Sequence, residues 1–387
     1  MNTLNNRGAS RFVGVALLVA MLPVAMLTAC SDEDSPGDGA EVSNAADSGE
    51  GGADAGVGTD AAAAAFSPDD TDKAVFALLD KAHDALGKTP LWPGFALPTK
   101  PLYLIRRSLK GTARYAFVTH VDKAPAGAKT FTIGKHVVHR FDAKKGALSS
   151  TRTAYSYEDI AGVQATMAAY DDATPSEPAA FLGALAKASF ERMKELDDTW
   201  EPVEGCGRSN YPRDQELLEL TLLEDALFAE TIAAKTADLP ARMTEIVAIR
   251  ARRLAIEPYT DRIDADGENR FGAPHFAKLT LPALVGVQSA EDRRKVIADS
   301  LAKAMTVPLE DLDDYLMWKR PLVSAVVLID LARKVGVKVE PSFKAGKAAV
   351  AAIIAAKGAP VLSHIDTVKK RHDMAAITKR AVALMKY

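Results

Sequence analysis

Seven histidines, two cysteines and a short acidic run are the residues of this 387-residue chain best suited to chemistry. A helical zinc hydrolase needs two histidines four residues apart, with a glutamate between them as general base. His83, His120, His136, His139, His275, His364 and His372 include no pair at that separation, so neither HExxH nor its inverted form is present. His136 and His139 stand three apart in a β-branched run, where alternation sends them to opposite faces. Asp264-Ala265-Asp266-Gly267 begins like a calcium loop. Placing Gly267 sixth, however, puts Arg262 first and Ala273 twelfth, where acidic ligands are required. That stretch is expected to be a polar turn. Cys206 lies between two glycines with no histidine near it in sequence to activate a thiolate. There is no GxSxG elbow and no GxxxxGK phosphate loop. Arg250 falls among Met243, Val247 and Leu254 on one helical arc, where a guanidinium must pair or snorkel. It either bridges to a helix such as the glutamate-rich 213–237 or lines an anion-binding cleft. None of these patterns calls for a cofactor.

The elements that would position such residues fall into two blocks. The pair Ser67-Pro68 followed by Asp69-Asp70 marks a helix start with Ser67 as cap, and Val75, Phe76, Leu79, Ala82 and Leu86 give it an apolar stripe. Short β-branched and aromatic runs follow at 102–105, 115–121, 130–133 and 137–141, punctuated by Gly127, Gly134 and Gly146, and 151–170 has room for two more strands. From 176 onward the spacing predicts helices over 178–198, 213–237, 240–257, 289–305, 309–319, 321–335, 342–357 and 364–385. The stretches 321–335 and 345–356 are apolar nearly all round and should be central. Strands first and helices after give an α+β domain over 67–387, with a small N-terminal antiparallel β meander in 67–175 and a helical part in 176–387.

Charge and the N-terminus bound the functional classes. The formal net charge of −3 conceals an uneven distribution, with nine acids and no base in residues 31–65 and a mildly basic remainder. Such a body offers no dense basic face for nucleic acid. Residues 1–29 have a basic n-region ending at Arg11 and an apolar run of 16 residues, shorter than the ~20 needed to span a bilayer. Leu27-Thr28-Ala29-Cys30 resembles a bacterial lipobox. That resemblance implies signal-peptide removal before Cys30, acylation of its thiol and a membrane anchor of more than one acyl chain. Ser31 after the cysteine leans toward the outer membrane. The Gly/Ala/acid composition of 30–66 then reads as a tether with a reach of roughly 30–35 Å.

Several separated segments, taken together, carry a second resemblance. They are Leu91-Trp92-Pro93-Gly94-Phe95, then Asp159-Ile160-Ala161-Gly162-Val163-Gln164-Ala165-Thr166, then Tyr211-Pro212 ahead of a Leu/Glu-rich helix, and Ile249-Arg250-Ala251-Arg252-Arg253. In that order, across about residues 88–280, the chain resembles a group of bacterial secreted proteins with a gluzincin-like metallopeptidase layout. The resemblance implies a zincin-like helical domain. It also implies that Lys187 stands where the group has its first zinc histidine, Ala188 its glutamate base, Glu191 its second histidine and Phe271 its glutamate ligand. Lysine is a cation, and neither alanine nor phenylalanine ligates, so a zinc centre of that type is not assembled.

Three functions follow as expectations. The first is a membrane-anchored extracytoplasmic domain, inactive as a peptidase, that binds a periplasmic peptide, a cell-wall component or a protein. The second is a hydrolase built from other groups, such as Glu191 and Asp198 with His275 or Arg250. The third is a structural lipoprotein that docks through helices in 289–387.

Overall fold

The computed structural model describes residues 66–97, 101–142, 154–160, 163–203 and 210–387. The signal segment, Cys30, the acidic stretch and Cys206 lie outside the described residues. The described part is α+β, with a six-stranded mixed sheet followed by helices.

Helix α1 spans Asp70–Lys88 and opens at Asp69 rather than at Ser67. The Asp69 carboxylate accepts from the Asp72 amide at 2.8 Å while Asp72 Oδ2 accepts from the Asp69 amide at 3.0 Å. This reciprocal box satisfies two donors that a lone serine two residues earlier would leave open. The strands are β1 Leu102–Arg107, β2 Ala113–Thr119, β3 Lys129–Ile133, β4 His136–Asp142, β5 Ala154–Ile160 and β6 Val163–Tyr170, in the order β3-β4-β2-β1-β6-β5. The hairpins β1–β2, β3–β4 and β5–β6 form, but β2 pairs with β4 rather than with β3, so the strands do not follow one another across the sheet as the expected antiparallel meander would. Strand β6 returns to pair in parallel with β1, so β1 becomes central, with all six of its residues buried. A strand covered on both faces loses the alternation that marks a half-exposed hairpin.

One face of the sheet (Leu102, Leu104, Tyr115, Phe117, Ala168, Tyr170) joins the main core, and α1 and α2 Pro178–Leu196 belong to the same core. Arg106, fully buried on this face, donates to Asp69 at 3.3 Å and to Asp172 and lies 3.9 Å from the Asp72 carboxylate. Asp72 in turn accepts from the Tyr115 and Tyr170 hydroxyls at 2.8 and 2.6 Å. The start of α1 is thus fastened to three strands by a closed polar set.

The helical part continues with α3 Gln215–Ala233, α4 Leu239–Ile256, α5 Tyr259–Asp266, a π-turn Gly267–Gly272 and α6 Ala273–Val285. The last three run without a break, so the segment expected as a polar turn at 264–267 is interior helix. The π-turn aligns Gly267 and Gly272 on one side. A Cβ on either would stand 2.3 Å from Pro321 Cβ or Ala325 Cβ, so only glycine lets this turn lie against the helix behind it. That helix is α9 Arg320–Lys334, the central one, which follows α7 Ala290–Thr306, the short α8 Leu312–Asp314 and a π-turn Tyr315–Lys319.

Two long helices expected near the C-terminus are each broken. Gly346, at φ +62°, separates α10 Glu340–Lys344 from α11 Ala349–Lys357, which buries only Ala349, Val350 and Ile353 and is peripheral rather than central. Likewise α12 His364–Lys369 ends before α13 Met374–Lys386, which Asp373 caps by accepting from the Ala376 amide at 3.1 Å.

Candidate functional site

Helix α2 is covered on two sides, by β5 and β6 and by α6. This double cover decides where its polar residues go. At Gly183 the helices nearly touch, because a Cβ there would be 2.9 Å from the Lys278 carbonyl oxygen. Eleven residues on, the Lys194 ammonium donates to the Asn269 carbonyl at 2.7 Å and to Asn269 Oδ1 at 3.1 Å. Between these two anchors Lys187 faces α6, where its charge acts on His275 and Lys278.

Lys187 Nζ and Glu191 Oε1 are 3.6 Å apart, with 27% and 28% of their side chains exposed. The sequence pattern places this pair on the solvent side, opposite a stripe of Leu182, Leu185, Ser189, Met193, Leu196 and Trp200. The structure turns the pair into the α2–α6 seam and leaves Leu196 56% exposed. Burial raises the Glu191 carboxyl above its usual range, against the pull of Lys187 and Lys194. His275 is pushed down to about 4, first by burial and then by Lys278, Lys187 and Arg293, so it is neutral at pH 7. Ala188 is fully buried, and Phe271 meets Trp318 edge-on at 6.3 Å between ring centres. Among the described residues no group of three or more His, Cys, Asp or Glu side chains converges as metal ligands would. The seam is cationic at Lys187 and Lys278 with one carboxylate between the helices, a set suited to holding anions or polar backbone.

At its far end the seam opens into a cleft of about 460 Å³ whose wall includes Lys194, Asp198, Trp200, Glu201, Asp266 and Arg270. Burial lowers Lys194 to about 8, and its ammonium sits 4.9 Å from the centre of the Trp200 ring. Lys187 is thus the group that neighbours both Glu191 and His275, which are not brought into contact with each other by any hydrogen bond or ion pair among the described residues, and Asp198 lies in the cleft at the seam's mouth.

Arg250 does not line this cleft. It is buried and donates to Glu224 at 2.5 Å and Glu268 at 2.6 Å, so the bridge to the 213–237 helix is the arrangement observed. The bridge belongs to a larger ionic core that the sequence does not announce. Glu224 also accepts from Arg253 at 2.6 Å and Arg320 at 2.5 Å, and Asp264 lies within 3.0, 3.2 and 3.3 Å of Arg253, Arg250 and Arg320. Asp225 accepts from Arg320 at 2.7 Å, and Glu268 accepts from Ser324 at 3.3 Å and the Ala349 amide at 2.9 Å.

Three guanidiniums thus face four carboxylates, all of them buried. The two central acids, Glu224 and Asp264, are driven up by burial but held below their usual range by the three arginines. The two outer ones, Asp225 and Glu268, are raised by burial, Asp225 to about 6. The four-residue step from Asp264 to Glu268 is the available signal, and the glycines at 267 and 272 disguise it as a turn.

Compared with known proteins, the chain matches no family model, no curated protein and no solved structure. Among the described residues no helix is long and apolar enough to cross a membrane.

Proposed function

We propose that this chain is a membrane-anchored extracytoplasmic lipoprotein, lipidated at Cys30, whose folded part is a zincin-like domain without its zinc centre and acts by binding. The observation that carries the reading is the α2–α6 seam. Positions 187 and 191, which the gluzincin resemblance assigns to the two zinc histidines, lie in the seam that α2 makes with α6, while position 271 lies in the π-turn ahead of α6 and packs against Trp318. A lysine–glutamate pair occupies the seam, and an ammonium supplies fixed positive charge where the resemblance expects a metal. A ligand there meets Lys187, Lys278 and neutral His275, which favours polar or anionic groups of a periplasmic peptide, a cell-wall component or a protein. The serine after Cys30 leans toward an outer-membrane location.

Two measurements test this. Equilibrium dialysis of the purified chain against zinc, with peptide hydrolysis followed in parallel, is expected to show neither stoichiometric metal nor chelator-sensitive cleavage. One tightly held zinc per chain overturns the reading. Metabolic labelling with a clickable fatty acid is expected to mark the wild-type chain and to be lost in Cys30→Ser. Equal labelling of both removes the anchor.

A further inference from the structure

At the mouth of the α2–α6 seam, the cleft of about 460 Å³ holds a lysine bonded to neutral oxygens. Lys194 Nζ donates to the Asn269 backbone carbonyl at 2.7 Å and to Asn269 Oδ1 at 3.1 Å, beside the Trp200 ring. Neither partner is a carboxylate. A neutral amine has two hydrogens and one electron pair, so these two oxygens take both hydrogens and leave the pair unengaged. Burial lowers the ammonium to about 8, so roughly a tenth of the side chain is neutral at pH 7.

Asp266 stands in the same wall and is 3% exposed. Among the described residues its carboxylate takes part in no hydrogen bond or ion pair, and only the charges of Arg270 and Lys194 act on it. Burial raises its carboxyl against that pull. A carboxyl that keeps its proton beside a neutral amine is a general acid paired with a nucleophile. The rest of the wall sets the kind of ligand. Even with Asp197 paired to Lys344 and Glu195 to Arg192, the acids lining the cleft outnumber its two cations, Lys194 and Arg270. Such a wall disfavours anions, while exposed Asp198 and Glu201 offer acceptors to hydroxyl groups.

We propose that Lys194 is a covalent site, at which this cleft holds a small uncharged hydroxyaldehyde or hydroxyketone as an imine. The Lys194 electron pair adds to the carbonyl carbon, and a proton passes from nitrogen to the carbonyl oxygen. Asp266 then protonates the resulting hydroxyl, the C–O bond breaks and water leaves. The nitrogen pair closes the C=N bond, and the iminium nitrogen returns a proton to Asp266. The sum is amine plus carbonyl giving imine plus water, with no change of oxidation state. The inference depends neither on the zincin-like reading nor on lipidation.

Glycolaldehyde is a suitable probe for the full chain, with glyoxylate as its anionic counterpart. Quenching with borohydride at timed intervals reduces the imine to a stable amine, which peptide mass spectrometry locates. One adduct per chain is expected at Lys194, formed at least tenfold faster than at any other lysine and at least fivefold faster with glycolaldehyde than with glyoxylate. Lys194→Arg is expected to lose the fast adduct, and Asp266→Asn to slow it at least tenfold while melting as the wild type does. Mapping on the wild type decides the site without either variant. Labelling spread evenly over the lysines, glyoxylate reacting as fast, or a folded Asp266→Asn that labels at the wild-type rate overturns the proposal.

Discussion

The Lys187 ammonium lies 3.6 Å from Glu191, one helical turn away, inside the seam between α2 and α6 rather than on open surface. The pair has the i,i+4 spacing that a zinc-binding helix gives its two histidines. Its partial burial makes it worth more than a solvated i,i+4 pair, which contributes a few tenths of a kcal/mol. A double-mutant cycle of Lys187→Ala and Glu191→Ala, read by urea unfolding, is expected to give a coupling energy of about 1 kcal/mol. A coupling near zero would mean that the pair is solvated.

The ionic core predicts a sharp contrast between two adjacent arginines on α4. Arg253 is buried among Glu224, Asp264 and the Tyr211 hydroxyl. Removing it strands buried carboxylates, so Arg253→Met is expected to cost ~3–5 kcal/mol. Its neighbour Arg252 serves as the control, making a two-pronged bond to Glu216 at 2.8 and 2.9 Å on the open side of the helix. Arg252→Met is expected to cost less than about 1 kcal/mol. Chemical denaturation of both variants checks the ordering.

Glycine positions separate steric need from mere tolerance. A methyl at Gly272 meets Ala325 Cβ at 2.3 Å, so Gly272→Ala is expected to destabilise by ~1–3 kcal/mol and to disturb the π-turn. At Gly87, inside α1, nothing lies within 4 Å of the added methyl. Gly87→Ala is expected to stabilise by about 0.5–1 kcal/mol through helix propensity. Thermal melts of the two variants should move in opposite directions.

Asp225 gives a pH signature. Its folded-state value of about 6 lies above the ordinary carboxyl value of 3.8, so the folded chain holds this proton more tightly than the unfolded chain does. Its contribution to stability is full below about pH 4 and is lost as the pH rises through 6, with a slope of at most ~1.4 kcal/mol per pH unit. His275 works in the opposite sense. Its value is lowered to about 4 from 6.5, so its contribution is full above 6.5 and is lost as the pH falls toward 4. The difference between wild type and Asp225→Asn isolates the first effect. Unfolding free energies measured from about pH 4 to about pH 7 should show wild type losing ground to the variant as pH rises. A pH-independent difference would contradict the assignment.

How much is legible in the sequence depends on what each element buries. Helix α2 can be read nearly to the residue, because Pro178 sits in its first turn and its apolar spacing is regular. Its second buried face is not visible, since lysine and glutamate at i,i+4 look the same on a wet surface and in a seam. The arginine at 250 is expected to need an acid, and Glu224 on α3 supplies one. The α5–α6 segment escapes the sequence pattern because Gly267 and Gly272, there for close packing on α9, carry the same letters as turn glycines. The parallel β1–β6 pairing is beyond a local reading, because β1 is buried on both faces and its neighbour lies about sixty residues further along the chain.

The most direct test of the proposed zincin-like reading is to supply the ligands it expects. The triple variant Lys187→His, Glu191→His and Phe271→Glu leaves the buried Ala188 untouched and supplies two imidazoles and a carboxylate at the three positions that the gluzincin resemblance assigns to zinc ligands. Zinc titration of this variant, with cobalt substitution to report geometry by absorption, is predicted to give one metal per chain with a tetrahedral spectrum, while the wild type binds none. A folded triple variant that takes up no metal would contradict the account.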